Sequence, residues 1–256
     1  LIYYEQNKHT TSVIKLESLC KIYKSKKGKE INVIENLNIE FAREKITCIL
    51  GKTGRGKSTL LRMIAGLEEH DRGNIRLYNM DKNELSIFMV FQENNLFPWM
   101  TVYENLEFVL KNKELKKSEC INIIEKELSK YQLLEYKNSY IYELSGGMKQ
   151  RIALIKAMII KPKILLLDEP FSALDYVTKL QIQEFVRKEC ILRKLLIIYI
   201  THDIQEAVRI SDKICILKKN EQNCDYLKII DNTLTFPREQ DKGYKALIQS
   251  LIDEIE

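Results

Sequence analysis

Gly51-Lys52-Thr53-Gly54-Arg55-Gly56-Lys57-Ser58-Thr59 has the G-x-x-x-x-G-K-[ST] spacing of a phosphate-binding loop. It follows the apolar run Ile46–Leu50 and precedes Leu60-Leu61-Arg62-Met63-Ile64-Ala65, which reads as strand, Gly-rich turn and helix. Glycines let successive backbone N–H groups turn inward on phosphate oxygens, and the helix N-terminus adds its partial positive charge. Lys57 can reach the β- and γ-phosphates, and the Ser58 hydroxyl can bind Mg²⁺. A nucleotide is therefore the expected ligand.

Three further groups fit chemistry on a nucleotide. Ile164-Leu165-Leu166-Leu167-Asp168-Glu169-Pro170 reads as a buried strand ending in two adjacent carboxylates. Beside a phosphate loop, Asp168 can hold the Mg²⁺ shell and Glu169 can orient the attacking water or take its proton. Leu195–Ile200 is a second buried-type run, ending in Thr201-His202-Asp203, from which His202 could reach a γ-phosphate. Ser86–Phe91 is a third, delivering Gln92, whose amide oxygen can meet Mg²⁺ or a water; a polar strand cap is the plainer alternative. Leu144-Ser145-Gly146-Gly147 opens a helix with the stripe Met148, Ile152, Ile155 and Ile159. A serine before two glycines at a helix start is a second anion site, or simply a good N-cap.

These groups need strands to carry them. Ser12–Tyr23 alternates as a strand, a Lys-rich turn follows, and Ile31–Ile34 and Leu37–Phe41 read as two short strands. Tyr23 stands where it can stack on an adenine or pack on the sheet, and spacing does not separate the two. Residues 1–12 are polar and expected to fray. Asn74–Leu77 reads as a strand, and Glu104–Leu110 and Cys120–Leu134 carry helical periodicity. The connector Asn94–Thr101 gathers large apolar residues, including the lone Trp99. Exposed, they mark a partner surface; buried, the commoner fate of a single Trp, they cap the helices. Ser172–Asp175 leads into a helix to about Arg193; Ile214–Leu217, Tyr226–Ile230 and Thr233–Phe236 read as closing strands, and Gly243–Glu256 as an amphipathic helix.

Composition excludes several classes. Apolar residues make up 45% and charged residues 30% of 256, as in a globular chain with a sizeable core. No apolar run approaches the roughly 18 residues needed to span a bilayer. The start lacks an initiator Met and shows no signal-peptide pattern. The six cysteines (20, 48, 120, 190, 215, 224) form no C-x-x-C pair and are expected as free thiols. A net charge of +5 is spread along the chain, so nucleic acid is not an expected partner.

Together the motifs resemble the ATP-binding subunit of an ABC transporter, from about Ile14 to Phe236. By that resemblance Tyr23 is the adenine-stacking aromatic, Gly51–Thr59 the Walker A loop and Gln92 the Q-loop residue. Leu144–Gln150 is the family signature, with Ser145, Gly146, Gly147 and Gln150 facing nucleotide. Ile164–Asp168 is Walker B, Glu169 the catalytic glutamate, Ser172–Asp175 the D-loop and His202 the switch histidine. Leu96–Asn105, Thr201–Ala207 and Phe236-Pro237-Arg238 are similar to importers of nitrate, sulfonate, taurine and bicarbonate. Departures include Lys52, Thr53 and Arg55 in the loop, and Ile155-Lys156 where the family usually has Ala-Arg.

The resemblance implies an α/β P-loop NTPase fold: a RecA-like core, an N-terminal antiparallel β subdomain and an inserted α-helical subdomain. One ATPase domain over 13–236, helical over about 101–160, would be followed by a helical tail at 237–256. It implies ATP and Mg²⁺, and a head-to-tail dimer with a copy or a similar ATPase chain, closing each ATP between one P-loop and the other signature. Transmembrane permease subunits, and indirectly an external solute-binding protein, would be partners, placing the chain at the cytoplasmic face of the cell membrane. A soluble ABC ATPase acting on nucleic acid or ribosomes is the alternative; it lacks support here, since neither a long coiled coil nor a second P-loop is present. A non-hydrolysing ATP-binding regulator would not need the full set of catalytic residues.

Overall fold

The computed structural model of the chain describes residues 2–6, 12–24, 30–80, 87–93, 95–111, 115–172, 174–219 and 225–255. The turn at 25–29, Ser86, Asn94, Ala173 and Cys224 lie outside them.

The N-terminal part forms β1 (Ile2–Glu5), β2 (Ser12–Lys24), β3 (Glu30–Ala42), β4 (Ile46–Leu50), α1 (Lys57–Ile64), β5 (Arg72–Tyr78) and β6 (Ile87–Val90). A helical stretch follows: α2 (Val102–Phe108), α3 (Lys117–Lys130) and α4 (Gly146–Ile160). The remainder is β7 (Ile164–Asp168), α5 (Tyr176–Arg193), β8 (Leu196–Thr201), α6 (Ile204–Ile210), β9 (Lys213–Lys219), β10 (Asp225–Asp231) and α7 (Tyr244–Ile255).

Two sheets result, one ordered β1-β5-β2-β3 and one β10-β9-β4-β8-β7-β6. In the second, β9, β4, β8, β7 and β6 run parallel, and β10 alone is antiparallel. Parallel strands covered on both faces read as unbroken apolar runs, which is why ITCIL, ILLLD and LIIYIT carry so few polar residues. Their alternate side chains part into two cores. Ile49, Leu166, Ile198 and Ile200 face a core shared with α1 and the first sheet. Cys48, Leu50, Leu165, Leu167 and Tyr199 face one shared with α4, α5, α6 and α7.

The helical stretch has its own core of Val102, Leu106, Ile124, Leu128, Ile152, Ile155 and Ile159. The α4 stripe read from sequence lies here, while Ala153, Leu154, Ala157 and Met158 on the other side of the helix enter the sheet core. A helix apolar all round is one buried between two layers.

Several expectations change. β1 is ordered, pairing parallel to β5 from Ile2↔Ile75 to Glu5↔Tyr78, where fraying was expected. The two short strands before the P-loop strand are one, β3. Asn36 and Ser18 take left-handed backbones (φ 53° and 47°). The Asn38 side chain staples them, accepting from Ser18 N at 2.9 Å and donating to Asn36 O at 2.9 Å, so the ladder continues through the kink. Thr233–Phe236 is not a strand. The preceding Asn232 donates its amide to Val208 O (2.7 Å) and Ser211 O (3.0 Å), turning the chain onto α6, a helix the sequence reading did not include. Cys48, Cys120, Cys190 and Cys215 are buried free thiols, and Cys20 is half-buried and free. Among the described residues no helix is long and apolar enough to cross a membrane.

α3 is tied to α5 by a buried ionic cluster. Glu189 accepts from Lys130, from the Tyr131 hydroxyl at 2.7 Å and from Arg193, which also meets Glu127 at 3.0 Å. Burial pushes the Glu189 carboxyl up, but these donors outweigh it and hold the group below its ordinary value. Glu189→Ala leaves Lys130 without an acid and Arg193 with Glu127 alone, and should cost about 1–3 kcal/mol. A depressed folded value means the contribution is whole above the ordinary carboxylate range and fades as pH falls below it. Urea midpoints of both proteins at neutral and strongly acid pH should therefore differ widely at the first and converge at the second.

Candidate functional site

Parallel strands deliver their C-terminal ends to one edge of the sheet, and the order β4-β8-β7-β6 sets four sequence-distant segments side by side there. The P-loop leaves β4, His202 follows β8, Asp168 and Glu169 end β7, and Gln92 lies two residues beyond β6. Register keeps them level, with Leu50 opposite Thr201, Asp168 opposite Ile200 and Val90 opposite Leu167.

Gly56 is the N-cap of α1 in a left-handed conformation (φ 81°), and a Cβ there would lie 2.6 Å from Val33 Cγ1. Only glycine turns the chain into the helix this close to β3. Gly56→Ala should cost about 1–2 kcal/mol from backbone handedness alone, read as a lower denaturant midpoint with unchanged slope.

Lys57 is buried, and its Nζ donates to Gly51 O at 2.8 Å and Lys52 O at 2.9 Å, holding the loop curled. Burial pushes its ammonium below the usual value, while the charges of Glu169 and Asp168 pull it back. Ser58 Oγ donates to Asp168 Oδ1 at 2.9 Å, so the loop and β7 meet at the two oxygens foreseen for a metal. Burial raises the Asp168 carboxyl, against the Ser58 hydrogen bond. A hydroxyl and a carboxylate are the hard oxygens Mg²⁺ takes when water and phosphate complete its shell, and a cation would hold the buried carboxyl ionised. The pair fits that ion.

Glu169 has φ 45°, a strained backbone for a residue with a side chain. Its N–H donates to Ile200 O at 3.2 Å, and its carbonyl accepts from Ser172 N (3.3 Å) and Ser172 Oγ (3.1 Å). The strain turns the carboxylate out of the strand, 3.4 Å from His202 Nδ1, which is itself exposed. His202 thus sits against Glu169 as well as at the phosphate edge. Behind it, buried Glu206 accepts from Thr201 Oγ1 at 2.6 Å and pairs with Lys179 at 2.6 Å. This brace was not read from sequence, because Lys179 belongs to a helix whose approach depends on tertiary packing.

Tyr23 reaches α1. Its hydroxyl donates to Glu68 and lies 3.4 Å from Thr59 Oγ1, with Lys21 Nζ 5.1 Å from the ring centroid and the ring partly exposed. Thr59 is buried towards this tether. Lys52, Thr53, Gly54 and Arg55 are exposed. Gln92 is exposed and bonds neither Ser58 nor Asp168, so of the three residues expected at a metal the structure brings Ser58 and Asp168 together.

Ser145 caps α4, accepting from Met148 N at 3.3 Å, and both Ser145 and Gly146 are exposed. A Cβ at Gly147 would lie 2.4 Å from Thr178 Cγ2, so this glycine permits α4 to start against α5, itself capped by Asp175. Gln150 differs from its neighbours. It is buried, with Nε2 unbonded, and does not share their exposed surface.

The model of the family described as ABC transporter matches residues 34–172. An Fe(3+) ions import ATP-binding protein of Fusobacterium nucleatum is 39% identical over 81% of this chain, which spans 56% of that relative's length. A bicarbonate transport ATP-binding protein of Synechococcus elongatus is 35% identical over 89% of this chain and 82% of its own. Among solved structures, the ATP-binding cassette MJ0796, a dimer in a post-hydrolysis state with ADP and Pi, superposes with a TM-score of 0.74 at 27% identity, covering 87% of this chain and all of that one. The chain belongs to the ABC transporter family, with the α/β fold of its ATP-binding cassettes.

Proposed function

We propose that the chain is the ATP-hydrolysing subunit of an importer for small anionic or organic solutes, acting at the cytoplasmic face of the cell membrane through permease subunits. The Ser58–Asp168 contact carries the ATP-hydrolysing part of this reading, because it joins a phosphate loop to an acid at the edge where Glu169 and His202 also stand; the importer part follows the iron and bicarbonate transport relatives. Lys57 and the loop amides bind the phosphates, Tyr23 flanks the base, and Glu169 orients water for in-line attack with His202 steadying its carboxylate. Ser58 and Asp168 would hold Mg²⁺, with Gln92 closing on it, and the ion would offset phosphate charge.

One P-loop leaves a side of the triphosphate bare. The exposed Ser145 and Gly146, with Gly147, are the surface a second ATPase chain would lay over it head to tail. Residues 13–236 act as one ATPase domain, 101–160 as its helical subdomain and 237–256 as a tail packed through Leu251. Permease helices dock beside Gln92 and the Phe97–Trp99 connector. Trp99 is 68% exposed there, the partner-surface alternative of the two weighed from sequence. The external solute-binding protein acts on the permease side.

The test is reconstitution with the permease in vesicles and a panel of bicarbonate, nitrate, sulfonate and taurine. ATP-dependent uptake that fails with Glu169→Gln is the expected result. ATPase activity stimulated by nucleic acid or ribosomes, and not by permease, would overturn it.

A further inference from the structure

The polar contact of the His202 ring among the described residues is with Glu169, at 3.4 Å, so its place is set by its neighbours in the chain. One ammonium holds both of those neighbours. Lys179 Nζ lies 2.6 Å from Glu206 Oε1 and 3.4 Å from Asp203 Oδ2. Glu206 accepts from Thr201 Oγ1 at 2.6 Å, and the same hydroxyl oxygen accepts from Asp203 N at 3.0 Å. Asp203 Oδ1 in turn accepts from Gln205 N (2.8 Å) and Glu206 N (3.2 Å), capping α6. Thr201 and Asp203 are thereby fixed, and His202 stands exposed between them.

Lys179 comes from the helix that follows the Glu169 turn. Glu169 O accepts from Ser172 N and Oγ at 3.3 Å and 3.1 Å, and Asp175, three residues on, caps α5 by accepting from Thr178 N at 3.0 Å. Lys179 N donates to Asp175 O at 2.9 Å, so the ammonium is carried by the first bonded turn of α5. The contacts close a circuit. It runs from Glu169 through Ser172 and Asp175 to Lys179, across to Asp203 and Glu206, and back through His202 to the Glu169 carboxylate. Glu206 is 4% exposed, and burial pushes its carboxyl above the usual value against the pull of Lys179 and Thr201. A buried acid is costly until it is paired, and Lys179 supplies the counter-charge. A carboxylate also accepts more strongly than a neutral group, which tightens the bond from Thr201.

We infer that Lys179 is a positioning residue for ATP hydrolysis, setting the His202 ring against the Glu169 carboxylate by clamping Asp203 directly and Thr201 through Glu206. This rests on the reading above, in which Glu169 orients the water and His202 steadies its carboxylate. The ammonium is engaged by two acids, so Lys179 acts through His202 and not on phosphate. A reacting geometry displaced by about 1 Å can cost about 10²-fold in rate. A side chain that meets only the acids behind the histidine can therefore govern turnover.

The experiment measures single-turnover ATP hydrolysis by the full chain, scaled to bound nucleotide, in a double-mutant cycle. Lys179→Met should slow hydrolysis about 10–100-fold with ATP affinity unchanged. Lys179→Arg, which keeps the charge facing both acids, should keep most of the rate. In a His202→Ala background Lys179→Met should slow hydrolysis no further, because the clamp then has no ring to place. A merely structural Lys179 would slow both backgrounds alike. Lys179→Met leaves Glu206 buried without its cation. Should that variant not fold, Lys179→Met with Glu206→Gln removes both charges, keeps an acceptor for Thr201 and should give the same readings. Wild-type turnover in either folded variant, or equal slowing in both backgrounds, overturns the inference. A slow His202→Ala beside a normal Lys179→Met removes Lys179 alone and leaves the reading of His202 standing. Wild-type turnover in His202→Ala itself overturns that reading and the inference with it.

Discussion

Glu169→Gln should bind ATP and dimerise on it, yet hydrolyse it about 10²–10⁴-fold more slowly than the wild-type chain. Glutamine keeps the side chain's length and leaves the φ 45° turn to the same backbone bonds from Ser172 and to Ile200. What it loses is the anion that takes or orients the proton of the attacking water. It also loses the charge facing His202 Nδ1 at 3.4 Å. If His202 works by steadying that carboxylate, adding His202→Ala to Glu169→Gln should slow turnover little further, since residues acting as a unit are not additive. Single-turnover phosphate release gives the rate, and size-exclusion chromatography with ATP gives the dimer. Near-normal release in Glu169→Gln would remove Glu169 from the role.

The parts of the site legible in the sequence are those whose chemistry is contiguous. The phosphate loop, the Asp168-Glu169 pair and the Ser145 cap each use neighbours along the chain, so residue type and spacing define them. Their assembly is not written locally. It depends on β8 lying between β4 and β7, so that residues 50, 168 and 201 share one edge, and no periodicity encodes strand order. The failures have the same origin. β1 is ordered because Ile2 and Tyr4 pack on a core built around β5, some seventy residues on. β3 survives its Asn36 kink because Asn38 satisfies the backbone there. Gln150 reads as part of the signature by position, but α4 is buried on both sides and carries it inside. Lys156 did leave a local signal, one cation within Ile152–Ile160. Its contacts with Phe97 and Phe108 appear only in the folded chain.

Lys57→Met should remove most of the stabilisation that ATP confers. In the wild-type chain, ATP at about a hundred times its Kd should add about 2.7 kcal/mol, a rise in Tm of roughly 5–10 °C for a chain of this size. Methionine fills the space of the lysine stem without its charge, so the variant loses the ammonium at the phosphates and the donor to Gly51 O and Lys52 O. Its ATP-induced shift should fall below about 2 °C on the same scale. The pH dependence gives a second signature. Burial holds the folded Lys57 below its ordinary value of 10.5. Between those two values the unfolded chain binds the extra proton, so nucleotide-free stability gains an upward slope with pH. ATP affinity moves the opposite way, falling as the ammonium is lost. Wild-type protein should thus combine a rising nucleotide-free contribution with a shrinking ATP shift as pH climbs towards 10.5, and Lys57→Met should lack both trends. Differential scanning fluorimetry with and without ATP across that range reads both at once. A variant that keeps the full ATP shift would place the γ-phosphate contact on another cation, with the exposed Lys52 and Arg55 of the same loop as the first to test.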